Sequence, residues 1–168
     1  MQETLDEQIR QLTIGRSRLL VKLLSITKKD LDNRLNERLQ ELGYTDFKIG
    51  DMALLANMKL EGIINNELAK KAKITKQAMS KVAKNLEAGG YIYTQKHETD
   101  NRATVIFLTG KGKELLIAAS KCVREIENYY AQIIGKTDAE RLREILTKLV
   151  KEIHPACFNT DTTDQDSQ

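Results

Sequence analysis

Residues 65–84 read NNELAKKAKITKQAMSKVAK, and the fold follows from how this stretch is parsed. It reads as two short helices joined by a tight turn. Leu68, Ala69 and Ala72 share one face of the first at helical spacing. Ile74 is placed to plug the joint. Met79, Val82 and Leu86 form the apolar stripe of the second helix, three and four residues apart. Thr75 stands where an N-cap belongs, its hydroxyl free to accept from the N–H of Gln77 or Ala78. The opposite face carries Gln77, Ser80, Lys81 and Lys84, a polar row without an acidic residue. This spacing matches a helix-turn-helix whose second helix enters a DNA major groove. An ordinary pair of amphipathic helices with a solvated lysine face would share the pattern.

The sequence that follows extends the motif. Gly89 and Gly90 stop the second helix. Tyr91–Thr94 and Thr104–Leu108 read as strands around a polar loop, 95–103, which contains Lys96, His97, Asp100 and Arg102. Helix, turn, helix and charged hairpin, in that order, make a winged helix. With MALLANM (52–58), NELAKKAKITKQAMSKVAKNLEAGGYI (66–92), TDNRATV (99–105) and LTGKGKELL (108–116), residues 52–113 resemble the MarR family of bacterial transcription regulators. The helical flanks on both sides also fit that family.

Charge is segregated along the chain. Residues 59–113 hold eleven Lys and Arg against five Asp and Glu, a surplus of +6. The whole 168-residue chain carries only +3, so the remainder carries −3. A basic footprint coincident with the motif is what a nucleic-acid partner requires.

The flanks read as helix. Leu5, Ile9, Leu12, Leu19, Leu23 and Ile26, then Leu31, Leu35, Leu39 and Leu42, make a long apolar stripe up to Gly43, with Gly15 and Thr27 as points where it could bend. A small winged lobe cannot cover that stripe, so it predicts a second subunit, or folding back on the chain's own C-terminal helices. Residues 46–58 read as a further helix, and Gly62-Ile63-Ile64 as a short third strand beside the hairpin. Residues 111–134 form a long helix with Leu115, Leu116, Ala119, Cys122, Val123, Ile126, Tyr130 and Ile133 inward. Gly135 breaks it. Thr137 and Glu140 suggest a capping box for a last helix to Ile153, with Leu142, Ile145, Leu146, Leu149, Val150 and Ile153 on its apolar face. The tail is polar, acidic and of disordered composition.

The expected fold is therefore mainly α with a small β-hairpin wing. Helical dimerisation segments over 1–43 and 111–154 flank a winged helix-turn-helix lobe over 46–110, with a disordered tail over 155–168. Two cysteines, Cys122 and Cys157, with no CxxC give neither a disulfide framework nor a zinc site, and suit a reduced compartment. No leader and no apolar run of membrane-spanning length is present, so a cytoplasmic protein without a membrane anchor is expected. No P-loop, GxGxxG, GxSxG or HExxH occurs, and His97 and His154 are far apart; no enzyme, cofactor or metal is expected. Cys122 reads as a core residue. Redox sensors of the MarR family place the reactive cysteine in the N-terminal helix, where this chain has none.

The resemblance implies a homodimer on a pseudo-palindromic double-stranded DNA operator, acting as a repressor. Gln77, Ser80 and Lys81 are the expected base contacts. Thr75, Lys76, Lys84 and Lys73 are the expected phosphate contacts. Arg102 matches the D-x-R word of the family wing and suits a narrow minor groove, with Asp100 shaping the tip, although an Arg102–Asp100 pair that never reaches DNA fits the same word. The family also suggests a small-molecule pocket. Arg16 and Arg18, among apolar neighbours, would suit an anionic aromatic inducer, or else face solvent. A winged-helix protein-interaction module without sequence-specific DNA binding is the alternative reading.

Overall fold

The computed structural model describes residues 4–71, 75–97 and 103–155, and divides into two compact units, one ending at Val123 and the other beginning at Arg124. Among the described residues no helix is long and apolar enough to cross a membrane.

The first unit opens with helix α1, Leu5–Thr13. Its start is fixed by a capping box: the Thr4 hydroxyl accepts from the Glu7 N–H at 3.3 Å, and the Glu7 carboxylate accepts from the Thr4 N–H at 2.9 Å. The long N-terminal stripe breaks at Gly15, whose φ of +76° admits a left-handed residue, and a single 3₁₀ turn, Arg16–Arg18, follows. Helix α2 then runs Leu20–Glu41. It does not break at Thr27. That hydroxyl donates to the Leu23 carbonyl at 2.9 Å, satisfying itself on the helix without breaking it. Leu35 and Leu39 are buried, and Gly43 (φ +94°) ends the run as expected.

The helix expected over 46–58 is much shorter. A 3₁₀ turn, Ile49–Asp51, leads into the single-turn helix α3, Met52–Leu55, before the chain turns away. Buried Phe47, Leu54 and Leu55 account for the apolar pattern that suggested a longer element. Strand β1 is Ile63–Ile64, the third strand expected beside the hairpin. Helices α4 (Asn65–Lys71) and α5 (Lys76–Ala88) form the helix-turn-helix. Strands β2 (Ile92–Lys96) and β3 (Thr104–Leu108) form the wing, β2 reaching two residues further than the sequence indicated.

The sheet is antiparallel in the order β1-β3-β2, with Ile63 opposite Ile106 and Thr94 opposite Ile106 on the other side. Gly62 approaches this sheet with φ +87°, and a Cβ there would meet the Phe107 ring at 2.5 Å, so only glycine fits. The lobe core draws Leu54, Leu55, Leu68, Met79, Leu86, Tyr91, Ile92 and Ile106 from successive elements, together with Leu115 of helix α6, Gly110–Ile134.

The second unit contains the end of α6 and helix α7, Lys136–Ile153. Gly135 alone separates them, with φ +90°. Thr137 is therefore not a cap. It lies inside the first turn, Gly135 occupies the cap position, and the Glu140 carboxylate pairs with Arg143. Arg143 also reaches Glu127 of α6 at 3.4 Å. Ile126 is buried as expected, but Ile133 is 63% exposed, and α7 has no buried residue. Cys122, at the end of the first unit, is buried in accordance with a core role. The tail from residue 156, with Cys157, lies outside the described residues.

Candidate nucleic-acid interface

The second helix of the motif, α5, is placed by its cap and its buried stripe. Thr75 is extended (φ −68°, ψ 155°), and its hydroxyl accepts from the Ala78 N–H at 3.1 Å. Met79 and Leu86 are buried, and Val82 and Ala83 half-buried, which fixes the rotation of the helix about its axis. Gln77, Ser80, Lys81 and Lys84 consequently emerge on the outer face. With Asn85 they line one open groove. Among the described residues neither Lys81 nor Lys84 is held in an ion pair, so both ammonium groups are available to an incoming anion. Thr75→Ala should cost about 1 kcal/mol through loss of the cap, seen as a lower denaturation midpoint at unchanged slope.

Of the other sequence-derived positions, Lys76 opens α5. Lys73, Asp100 and Arg102 lie outside the described residues. His97 is half-buried at the base of the wing tip, and its backbone N–H donates to the Ala103 carbonyl at 3.0 Å, carrying the β2–β3 pairing one step further. Arg16 and Arg18 are exposed in the 3₁₀ turn rather than within a helix.

Two groups that sequence reasoning did not single out hold the interface in shape. The Glu87 carboxylate, near the end of α5, accepts from the Thr94 N–H at 3.1 Å and from the Thr94 hydroxyl at 2.8 Å. The second helix and the first wing strand are thereby tied together. Periodicity marks Glu87 only as a solvated position, so no signal in the sequence distinguishes it.

The second group secures the bend after α5. Tyr91 is buried, and its hydroxyl donates to Asp46 at 2.5 Å. Lys111 donates to Asp46 at 2.9 Å and to the Gly89 carbonyl at 2.9 Å, with its ammonium 4.2 Å from the centre of the Tyr91 ring. The Tyr91 hydroxyl and then Lys111 hold Asp46 below the usual carboxylate range, while burial first, and Asp46 second, push the Tyr91 hydroxyl up. The contribution of Asp46 is therefore present above the ordinary carboxylate pKa and is lost as pH falls through the lowered one. Thr109 completes the clamp: its hydroxyl donates to the Gly90 carbonyl at 2.6 Å and accepts from the Gly112 N–H at 3.0 Å.

Known proteins share this fold. Residues 51–103 match the model of the MarR family. An uncharacterized HTH-type transcriptional regulator of Bacillus subtilis strain 168, YdgJ, is 28% identical over 89 residues, which are 53% of this chain and 52% of YdgJ. The match thus spans about half the length of that curated relative. A crystal structure of MarR superposes with a TM-score of 0.70 at 21% identity, covering 80% of this chain and 97% of that one. The Staphylococcus aureus MepR–DNA complex gives 0.65 at 21% identity, covering 79% and 97%. These superpositions establish the fold, a mostly helical winged helix with a three-stranded antiparallel wing.

Proposed function

We propose that the chain is a transcriptional regulator of the MarR family, whose model matches residues 51–103, and that it binds double-stranded DNA sequence-specifically as a homodimer and represses transcription from a pseudo-palindromic operator. The observation that carries this reading is the exposed row Gln77, Ser80, Lys81 and Lys84 along one groove of a capped, firmly rotated helix. In this reading α5 enters the major groove. Gln77 addresses adenine, Lys81 guanine and Ser80 either base, while Thr75, Lys76, Lys84 and Lys73 bind phosphates. Arg102 enters the flanking minor groove and Asp100 holds the wing tip. A solved neighbour, MepR, was captured on DNA, which supports the assignment. Segments 1–43 and 111–154 form the dimerisation region around the lobe 46–110, and the regulator works in the cytoplasm. An anionic inducer would act through Arg16 and Arg18, and would release DNA only by binding the DNA-incompetent state more tightly.

Selection from random duplex DNA, followed by sequencing, tests the proposal. One enriched motif with two half-sites is expected; an interaction module would enrich none. On that motif Gln77→Ala and Lys81→Ala should each cost about 1–3 kcal/mol and relax preference at one position. Lys84→Ala should weaken all sequences alike and reduce the salt slope by about 0.9. An unchanged motif with Gln77→Ala would show that α5 docks differently.

A further inference from the structure

A cleft of about 290 Å³ lies between the last turn of α5 and the segment 46–51, meeting the groove just described at Asn85. At its wall stands Asp51, only 8% exposed and the one buried charged residue among those described. No hydrogen bond or contact ion pair reaches its carboxyl among the described residues; Lys48 acts on it through space alone. The neighbouring carboxylate, Asp46, is already matched by Lys111 at 2.9 Å and by the Tyr91 hydroxyl. Asp51 is thus the lining carboxylate left without a contact partner. Burial raises its pKa above the usual carboxylate value, against a smaller opposing pull from the Lys48 charge.

The rest of the wall is mixed: Lys48, Asn85 and the already matched Asp46 are polar, and Phe47, Leu86, Ala88 and Tyr91 supply an apolar, partly aromatic side. Phe47 and Tyr91 meet edge to face, their centres 5.5 Å apart, beside Leu86. The volume suits one ring with a short polar head and is too small for a peptide segment. A cationic head would give Asp51 the charge-assisted hydrogen bond it lacks, and a flat body would pack against Phe47, Leu86 and Tyr91.

We propose that this cleft is a binding site for a small aromatic cation, with Asp51 as the counter-charge and Phe47, Leu86 and Tyr91 as the apolar wall. Its ligand is opposite in sign to the anionic inducer considered at Arg16 and Arg18, and its existence does not depend on the DNA-binding reading.

The test uses the free, full-length protein with benzamidine and benzylamine as probes and neutral benzamide as the matched control. Thermal melts should show a saturable rise of about 3–5 °C at ten times Kd for the cations, and titration calorimetry should find benzamide at least about tenfold weaker. Asp51→Asn keeps the shape of the side chain and should remove the preference for the cation. Ala88→Leu, at the end of α5 where the residue lines the cleft, should block both cations while leaving Asp51 in place. It decides the matter if Asp51→Asn does not fold. The proposal is overturned if neither cation binds saturably, if benzamide binds as well, or if either folded variant binds like the parent.

Discussion

Gly112→Ala should unfold the winged lobe or leave it barely stable. A Cβ at this position would stand well under 3.0 Å from the Tyr91 carbonyl oxygen, and only 3.1 Å from its carbon. The obstacle is backbone, which cannot rotate away as a side-chain tip can. Nor can the helix retreat, because Thr109 binds it to the same bend: its N–H donates to the Tyr91 carbonyl at 3.1 Å, and its hydroxyl to Gly90. Relief would require α6 to lift off the bend and to break the contacts of Lys111 with Asp46 and Gly89. The expected cost is about 3–5 kcal/mol, at the upper end for single substitutions, from a total of about 5–15 kcal/mol for a domain. Gly110→Ala is the control. It lies in the same helix turn with nothing within 4 Å of its would-be Cβ, and should be neutral or stabilise by up to about 1 kcal/mol. Denaturant titration of the two variants checks this directly. Equal midpoints for Gly112→Ala and the parent would mean that the packing of α6 on the bend is looser than described.

The glycine at 112 also shows where sequence reasoning stops. In LTGKGKELL two glycines look alike, one in open space and the other pressed against the backbone of Tyr91, twenty-one residues earlier. What the sequence does disclose is local and periodic. Thr75 followed by Met79, Val82 and Leu86 identifies both the start and the buried face of α5, and hence the outward row from Gln77 to Lys84. The two β-branched residues Ile63 and Ile64, next to a glycine, suffice to announce a strand. Periodicity misleads where tertiary packing buries residues outside a helix. Phe47 and Leu54 have helical spacing, yet the chain between them contains a 3₁₀ turn. Thr137 and Glu140 have the composition of a capping box, but Gly135 starts α7 too early for them to serve. The burial of Asp51 and the link from Glu87 to Thr94 arise only when distant segments meet. Neither leaves a trace in local composition.

If the chain is the proposed homodimer, replacing Ile145 and Leu149 together by glutamate should give a monomer and reduce affinity for the proposed operator by about 10²–10⁴-fold, the range over which linking two binding events raises avidity. The reason lies in α7. Leu142, Ile145, Leu149 and Ile153 repeat at three- and four-residue steps and are 48, 57, 41 and 58% exposed, so the helix carries an apolar face that the chain does not bury. Helix α1 is in the same condition, with Leu5, Ile9 and Leu12 at 76, 59 and 73%. Continuous apolar surface of this kind marks an interface, and a second copy of the chain is the partner that the proposed function requires. Since Ile145 and Leu149 are exposed within one chain, glutamate there should leave the monomer folded, with an unchanged helical signal. Lys148→Glu, which alters charge beside the same face without removing an apolar group, should remain dimeric. On DNA the monomer would engage one half-site only. Its salt slope should fall to about half, since half the phosphate contacts and their released counterions are gone, and spacing between half-sites should cease to matter, whereas a dimer requires them about 34–36 Å or a multiple apart. Sedimentation equilibrium and a salt series on the selected motif measure both consequences. If the double-glutamate protein sediments as a dimer, the interface lies elsewhere on the chain. If it is a monomer that binds with the parent's affinity and salt slope, one lobe suffices for recognition and the two-site reading fails.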